Sequence, residues 1–167
     1  PKKRMLDFSP LIYMANSFKK YAEVIDYKPV DLDNPNLEKM DITDIRYPDE
    51  SFDVVYCSHV LEHVDDDQKA INELKRILKK DGWALIQVPL GGEKTIEAWE
   101  IKDPEERLSI FGQNDHQRLY GFDLVKRLED KNVKVNMLNY IRNFSSEDIK
   151  KYGLSKENDF IFMCSKS

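Results

Sequence analysis

Residues 39–88 read KMDITDIRYPDESFDVVYCSHVLEHVDDDQKAINELKRILKKDGWALIQV, and this stretch decides the fold class. Phe52 to Cys57 is a short apolar run, the pattern of a strand buried on both faces. Asp65 or Asp66 can open a helix in which Ala70, Ile71, Leu74, Ile77 and Leu78 share one apolar face. Lys79 and Lys80 suit the negative end of that helix, and Gly82 suits a left-handed stop after it. Trp83 to Val88 is a second buried run, halted by Pro89 and Gly91-Gly92. Strand, amphipathic helix and strand in that order form a parallel pair joined by a crossover helix.

The same alternation extends outward in both directions. Strands are expected near residues 4–8, 26–32, 38–41, 52–57, 83–88, 133–140 and 159–164, mostly parallel, with the last pair able to form an antiparallel edge. Ser9 is read as the cap of the first helix, with Pro10 at its first position. Pro29 interrupts the second strand, where a ladder N–H is lost. Asp103, Pro104 and Glu106 mark the start of a short helix. The expected architecture is α/β: one domain over residues 1–167, three layers, and a mostly parallel seven-stranded sheet with an antiparallel edge strand.

Composition narrows the function. The chain has 167 residues, 41% apolar and 34% charged, with a net charge of −5, which argues against a nucleic-acid partner and for an ordinary cytoplasmic domain. No apolar run reaches the ~20 residues of a membrane span. Nothing in Pro1-Lys2-Lys3-Arg4 and the residues after it reads as a secretory signal, and the abrupt start suggests a trimmed or processed chain. Cys57 and Cys164 lie in apolar runs and read as reduced core thiols. His59 and His63 have metal-ligand spacing but no evident third ligand in sequence, so no metal is expected.

In an open α/β sheet, ligands bind at the carboxyl ends of the strands, where strand order reverses. Those ends carry Asp7-Phe8-Ser9-Pro10, Asp31-Leu32-Asp33, Asp41-Ile42 and Ser58-His59. Acids recur on one edge, as acceptors for the hydroxyls and amino group of a nucleoside. A nicotinamide dehydrogenase would want Gly-x-Gly-x-x-Gly after the first strand, and that turn is missing.

The blocks Asp41-Ile42-Thr43-Asp44, Tyr47 to Val55 and Ser58-His59-Val60-Leu61-Glu62-His63-Val64, continued by Leu74 to Trp83, resemble class I, Rossmann-like S-adenosylmethionine-dependent methyltransferases of the ubiquinone-biosynthesis type. Over its whole length the chain is most similar to an uncharacterised bacterial family that also carries a segment like Phe111 to Gly121. The resemblance implies S-adenosylmethionine as cofactor and a small-molecule methyl acceptor. It implies that Asp31 accepts from the ribose, that Asp41 faces the adenine amino group with Ile42 packed on the ring, and that Cys57 and Ser58 lie beside the methionine part. Asp7 matches the acid of the first-strand motif, and Ser9 follows it in a loop, Phe8-Ser9-Pro10-Leu11, that lacks the family's glycines. A domain with such a loop could alternatively be a non-catalytic binding or scaffold domain.

The segment from Gly91 to Gly121 is read as a substrate-facing lid, with Gly112 and Gly121 as bending points. His116 and His59 are the candidate catalytic groups, and Arg118, Tyr120 and Gln113 the candidate acceptor contacts. Arg118 is the expected anchor of an anionic substrate.

Overall fold

The computed structural model describes residues 1–154 and 159–167. The chain opens with β1 (Lys3–Phe8), α1 (Ile12–Lys19), β2 (Ile25–Asp31) and β3 (Glu38–Lys39). It continues with β4 (Phe52–Ser58), a 3-10 turn (Leu61–His63), α2 (Asp67–Ile77) and β5 (Leu78–Gln87). A short pair, β6 (Ile96–Glu97) and β7 (Arg118–Leu119), flanks α3 (Pro104–Phe111), and α4 (Leu124–Leu128), β8 (Val133–Leu138), α5 (Ser146–Tyr152) and β9 (Ile161–Lys166) complete the fold.

Seven strands form one sheet in the order β3-β2-β1-β4-β5-β9-β8. β1 pairs in parallel with both β2 and β4, and β4 in parallel with β5. The antiparallel strand is β9, and it lies one position in from the edge, between β5 and β8. The last two strands thus form the antiparallel edge expected of them, with β8 outermost.

The core follows from the sequence pattern. Leu6, Phe8, Val55, Cys57, Ala84 and Ile86 are buried in the central strands, and α2 lays Ala70, Ile71, Leu74 and Ile77 against them. Asp66 caps α2 by accepting from the Lys69 N–H at 2.9 Å. Burial of each such aliphatic side chain contributes roughly 1.5–3 kcal/mol. Pro29 is accommodated because β2 has a partner on its β3 side only at Val30 and Asp31.

Two local expectations are corrected. α2 stops at Ile77, and Leu78 already pairs with Phe52, so Lys79 and Lys80 belong to a bulged strand start and not to the helix end. Asp81 takes the left-handed conformation, φ 62°, while Gly82 is needed for contact: a Cβ there would lie 2.8 Å from the Lys79 carbonyl oxygen. α1 begins two positions later than expected, after Leu11, with no side-chain cap. Ser9 instead donates its N–H to the Val30 carbonyl and adopts φ 49°.

Candidate functional site

Strand order reverses between β1 and β4, and a cavity of about 870 Å³ opens at their carboxyl ends. Phe8 and Ser9 line it from β1, Asp31 to Asp33 from β2, Met40 to Thr43 after β3, and His59, Val60 and His63 after β4. Among the described residues its charges are Asp31, Asp33, Asp41, Asp65, Asp66 and Asp115 against one lysine, Lys69, so the wall is acidic. The volume lies in the ~300–1,000 Å³ range of small-molecule sites.

Four of the expected cofactor residues, Ser9, Asp31, Asp41 and Ile42, meet on this wall. Ser9 holds the left-handed conformation that favours glycine, so the chain turns sharply after β1 without one. Asp31 Oδ1 accepts from the N–H groups of Asp33 and Asn34, both at 2.8 Å. Burial pushes the Asp31 carboxyl up, but those two N–H groups and a hydrogen bond from Ser9 outweigh it and hold it below the usual carboxylate range. Asp41 Oδ1 accepts from the N–H and hydroxyl of Thr43, each at 2.8 Å. Both acids are thereby fixed in direction by their own turns.

The other three do not line the cavity. Cys57 is fully buried in β4, and burial raises its thiol well above the usual range. Ser58 donates to the Gln87 side-chain oxygen at 3.4 Å. Asp7 is fully buried; Oδ2 accepts from the Tyr27 hydroxyl at 2.6 Å and Oδ1 has no partner. Burial raises its carboxyl to about 6, although the Tyr27 bond pulls the other way.

The segment from Gly91 to Gly121 is pinned to the domain. β6 and β7 pair antiparallel, and Gly91 N–H donates to the Tyr120 carbonyl at 2.8 Å. Arg118 is 1% exposed; it donates to the carbonyls of Leu61, Val64 and Asp65 around the 3-10 turn and to Glu97. The fully buried Tyr120 donates to Asp67 Oδ2 at 2.8 Å, which Arg127 also bonds. Arg118 and Tyr120 therefore do not reach the cavity, and Gln113 points to solvent. Gly112 ends α3 with φ 81°, where the chain turns, and Gly121 packs against the Lys94 backbone. Phe111 is buried at the end of α3, while Leu108 is exposed.

An alternation explains these placements. His116, Arg118 and Tyr120 are buried, whereas Gln117 and Leu119 between them are only partly so. That period of two belongs to extended chain. It puts Asp115 and Gln117 on the cavity wall, neither of which the sequence reading singled out as a site residue.

The histidines converge on one carboxylate. His59 is held with φ 56°, and its Nδ1 bonds Glu62 Oε1 at 3.1 Å, which raises its imidazole above the usual range. His63 Nδ1 meets Asp115 Oδ2 at 3.2 Å, and the rings of His63 and His116 meet edge to face at 4.7 Å. His116 is 3% exposed and its Nδ1 donates to the Phe111 carbonyl at 3.0 Å. Glu62 is 1% exposed, and its second oxygen, Oε2, has no partner. The sequence motif holds His59, Glu62 and His63, but the part played by Glu62 has no signal there beyond its spacing.

Comparison with known proteins agrees with this fold. Residues 8–86 match a family model described as a methyltransferase domain. An uncharacterised methyltransferase of Bacillus subtilis, YcgJ, is 33% identical over 55 residues, which are 33% of this chain and 22% of that protein. The matched stretches span only about a fifth of the length of the curated relatives. The YcgJ crystal structure superposes with a TM-score of 0.61 at 15% identity, covering 99% of this chain and 92% of that one. An S-adenosylmethionine-dependent methyltransferase from Mesorhizobium loti gives 0.67 at 14% identity, covering 99% and 91%. A Haemonchus contortus phosphoethanolamine N-methyltransferase holding S-adenosylhomocysteine gives 0.61 at 16% identity, covering 99% of this chain and 49% of that one. Among the described residues no helix is long and apolar enough to cross a membrane.

Proposed function

We propose that this chain, a class I methyltransferase by its fold and by residues 8–86, binds S-adenosylmethionine in the cavity between β1, β2 and β4 and directs its methyl group to a small neutral or cationic acceptor. The observation that carries the reading is the meeting of Ser9, Asp31, Asp41 and Ile42 on one acidic wall at the point where strand order reverses.

The residues present fit the cofactor. Asp31, oriented by its own turn, accepts from ribose hydroxyls, and Asp41 faces the adenine amino group with Ile42 against the ring. The turn at Ser9 brings backbone close to the ligand, as glycines do elsewhere in the family. Asp7 acts from beneath that turn: a carboxylate oxygen without a partner inside the protein is stabilised by positive charge placed above it. When bound, S-adenosylmethionine supplies the electrophilic methyl group on a sulfonium centre. The chain's own work is to align donor and acceptor and to exclude water.

The acceptor side is the wall formed by His59, His63, Asp115 and Gln117. His59, with Nδ1 held on Glu62, offers its other ring nitrogen to the acceptor. Among the described residues the cavity wall carries one lysine, Lys69, against six aspartates, and Arg118 is spent on backbone carbonyls, so the wall itself gives an anionic acceptor little positive charge. This sets the preference for neutral or cationic substrates.

Calorimetric titration tests the reading. The chain is expected to bind S-adenosylmethionine and S-adenosylhomocysteine and not NAD. Asp31→Ala should lose roughly 1.5–3 kcal/mol of affinity for each charge-assisted bond removed, and Asp31→Asn, which keeps an acceptor for the turn, should lose part of it. Parent-like binding of S-adenosylhomocysteine by both variants overturns the assignment.

A further inference from the structure

All three histidines of the chain, His59, His63 and His116, meet around Glu62 at the rim of the cavity. We infer that Glu62, His63 and His116 form a site for a divalent transition-metal ion, of which zinc is the type. A ligand-capable atom from each of the three lies within 4.8 Å of the other two. The edge of a tetrahedron with bonds of 2.0–2.1 Å is about 3.4 Å, so capture of an ion draws the groups together by roughly 1 Å.

Three features beyond proximity point to a cation. First, Glu62 is buried and Oε2 has no partner. A buried carboxylate oxygen left bare costs free energy that a bound cation recovers. Second, both imidazoles have an acceptor behind them. His116 Nδ1 donates to the Phe111 carbonyl, which leaves its Nε2 as a lone pair, and His63 Nδ1 lies 3.2 Å from Asp115 Oδ2. A carbonyl or carboxylate behind a ligating histidine is the usual second support of a metal site. Third, His59 holds the remaining oxygen of Glu62, which fixes the carboxylate plane and leaves Oε2 to the ion.

The donor set names the class of metal. Two imidazoles and one carboxylate suit zinc, ferrous iron and their neighbours, and not magnesium or calcium, which prefer oxygen throughout. Three protein ligands leave a position open. Glu62 and His116 are buried while His63 and Asp115 line the cavity, so the open position faces the cavity. Metal binding itself does not depend on the methyl-transfer reading. The further step does: an acceptor with an oxygen or nitrogen donor would be held there beside the cofactor.

The test uses the purified chain, stripped with EDTA and dialysed. Titration with zinc is expected to show one equivalent bound, and cobalt(II) to give the intense visible absorption of a low-coordinate site. His63→Asn and His116→Asn should each weaken zinc by more than 100-fold, and Asp115→Asn by about 10-fold. His63 is partly exposed, so its variant keeps the fold if His116→Asn does not. Absence of stoichiometric binding, or binding that survives His63→Asn, overturns the site. S-adenosylhomocysteine is titrated into the same stripped sample. A chain that binds this ligand but takes up no zinc in the titration defeats only the metal site, and one that takes up zinc but does not bind this ligand defeats only the cofactor reading.

Discussion

Asp7 and Asp31 stand at the ends of adjacent strands and have opposite electrostatics. Asp31, at the cavity wall, is surrounded by donors and stays ionised to low pH. Asp7, one layer down, has one hydroxyl partner and a carboxyl raised from 3.8 to about 6 by burial. Because the folded state holds that proton more tightly than the unfolded chain, Asp7 is least costly below about pH 4. Stability should fall as pH rises from about 4 to about 6 and level off above, by up to ~3 kcal/mol as an order of magnitude. Asp7→Asn should remove that slope and be the more stable protein at neutral pH, as urea unfolding at several pH values will show. An unchanged slope would assign it to another group. The strand-end acids were legible in sequence, because a run of apolar residues broken by Asp marks the edge of a sheet. Their protonation was not, since it depends on what packs above them.

The segment between β5 and α4 is a clamp. Its two short strands, the Arg118 guanidinium under the 3-10 turn and the Tyr120–Asp67–Arg127 cluster tie it down at several points. Arg118→Met should therefore destabilise the whole domain by about 3–5 kcal/mol, since it leaves Leu61, Val64 and Asp65 carbonyls and Glu97 short of a donor. Gly121→Ala should destabilise as well, because its Cβ would lie 2.4 Å from Lys94 carbonyl carbon. Chemical denaturation measures both. A mobile lid would predict near-native stability for each, and hydrogen exchange would then be fast at Gln117 and Phe122. A clamp predicts protection there, since Gln117 N–H donates to the Glu62 carbonyl at 2.7 Å and Phe122 N–H to the Gly92 carbonyl at 2.9 Å.

At the scale of the molecule, the crevice lies between the two halves of the sheet, and a ligand there bridges β1, β2 and β4. A ligand that binds only the folded state adds stability by mass action. S-adenosylhomocysteine at 100 times its Kd should raise the unfolding free energy by about 2.7 kcal/mol, seen as a concentration-dependent rise in Tm that NAD does not produce. The same ligand concentration should protect Asp31→Ala less. No shift in Tm with either ligand would speak against the cavity as a cofactor site.

The amino-acid sequence by itself determined the alternation of buried strands and amphipathic helices, and with it a parallel sheet whose carboxyl edge carries Asp31 and Asp41. Those features are written in short-range periods, two for strands and 3.6 for helices, and in the chemistry of turns. Only the tertiary structure decided which polar residues of the Gly91 to Gly121 segment face the cavity, since irregular chain has no period until its partners set one. It also decided that Ser9 takes the place of a glycine, held in the left-handed region where its N–H reaches Val30. The convergence of His116 on Glu62 and His63 belongs to the same class. Groups so far apart in the chain meet only when a buried arginine, Arg118, ties one loop to the turn after β4, and no local pattern encodes that contact.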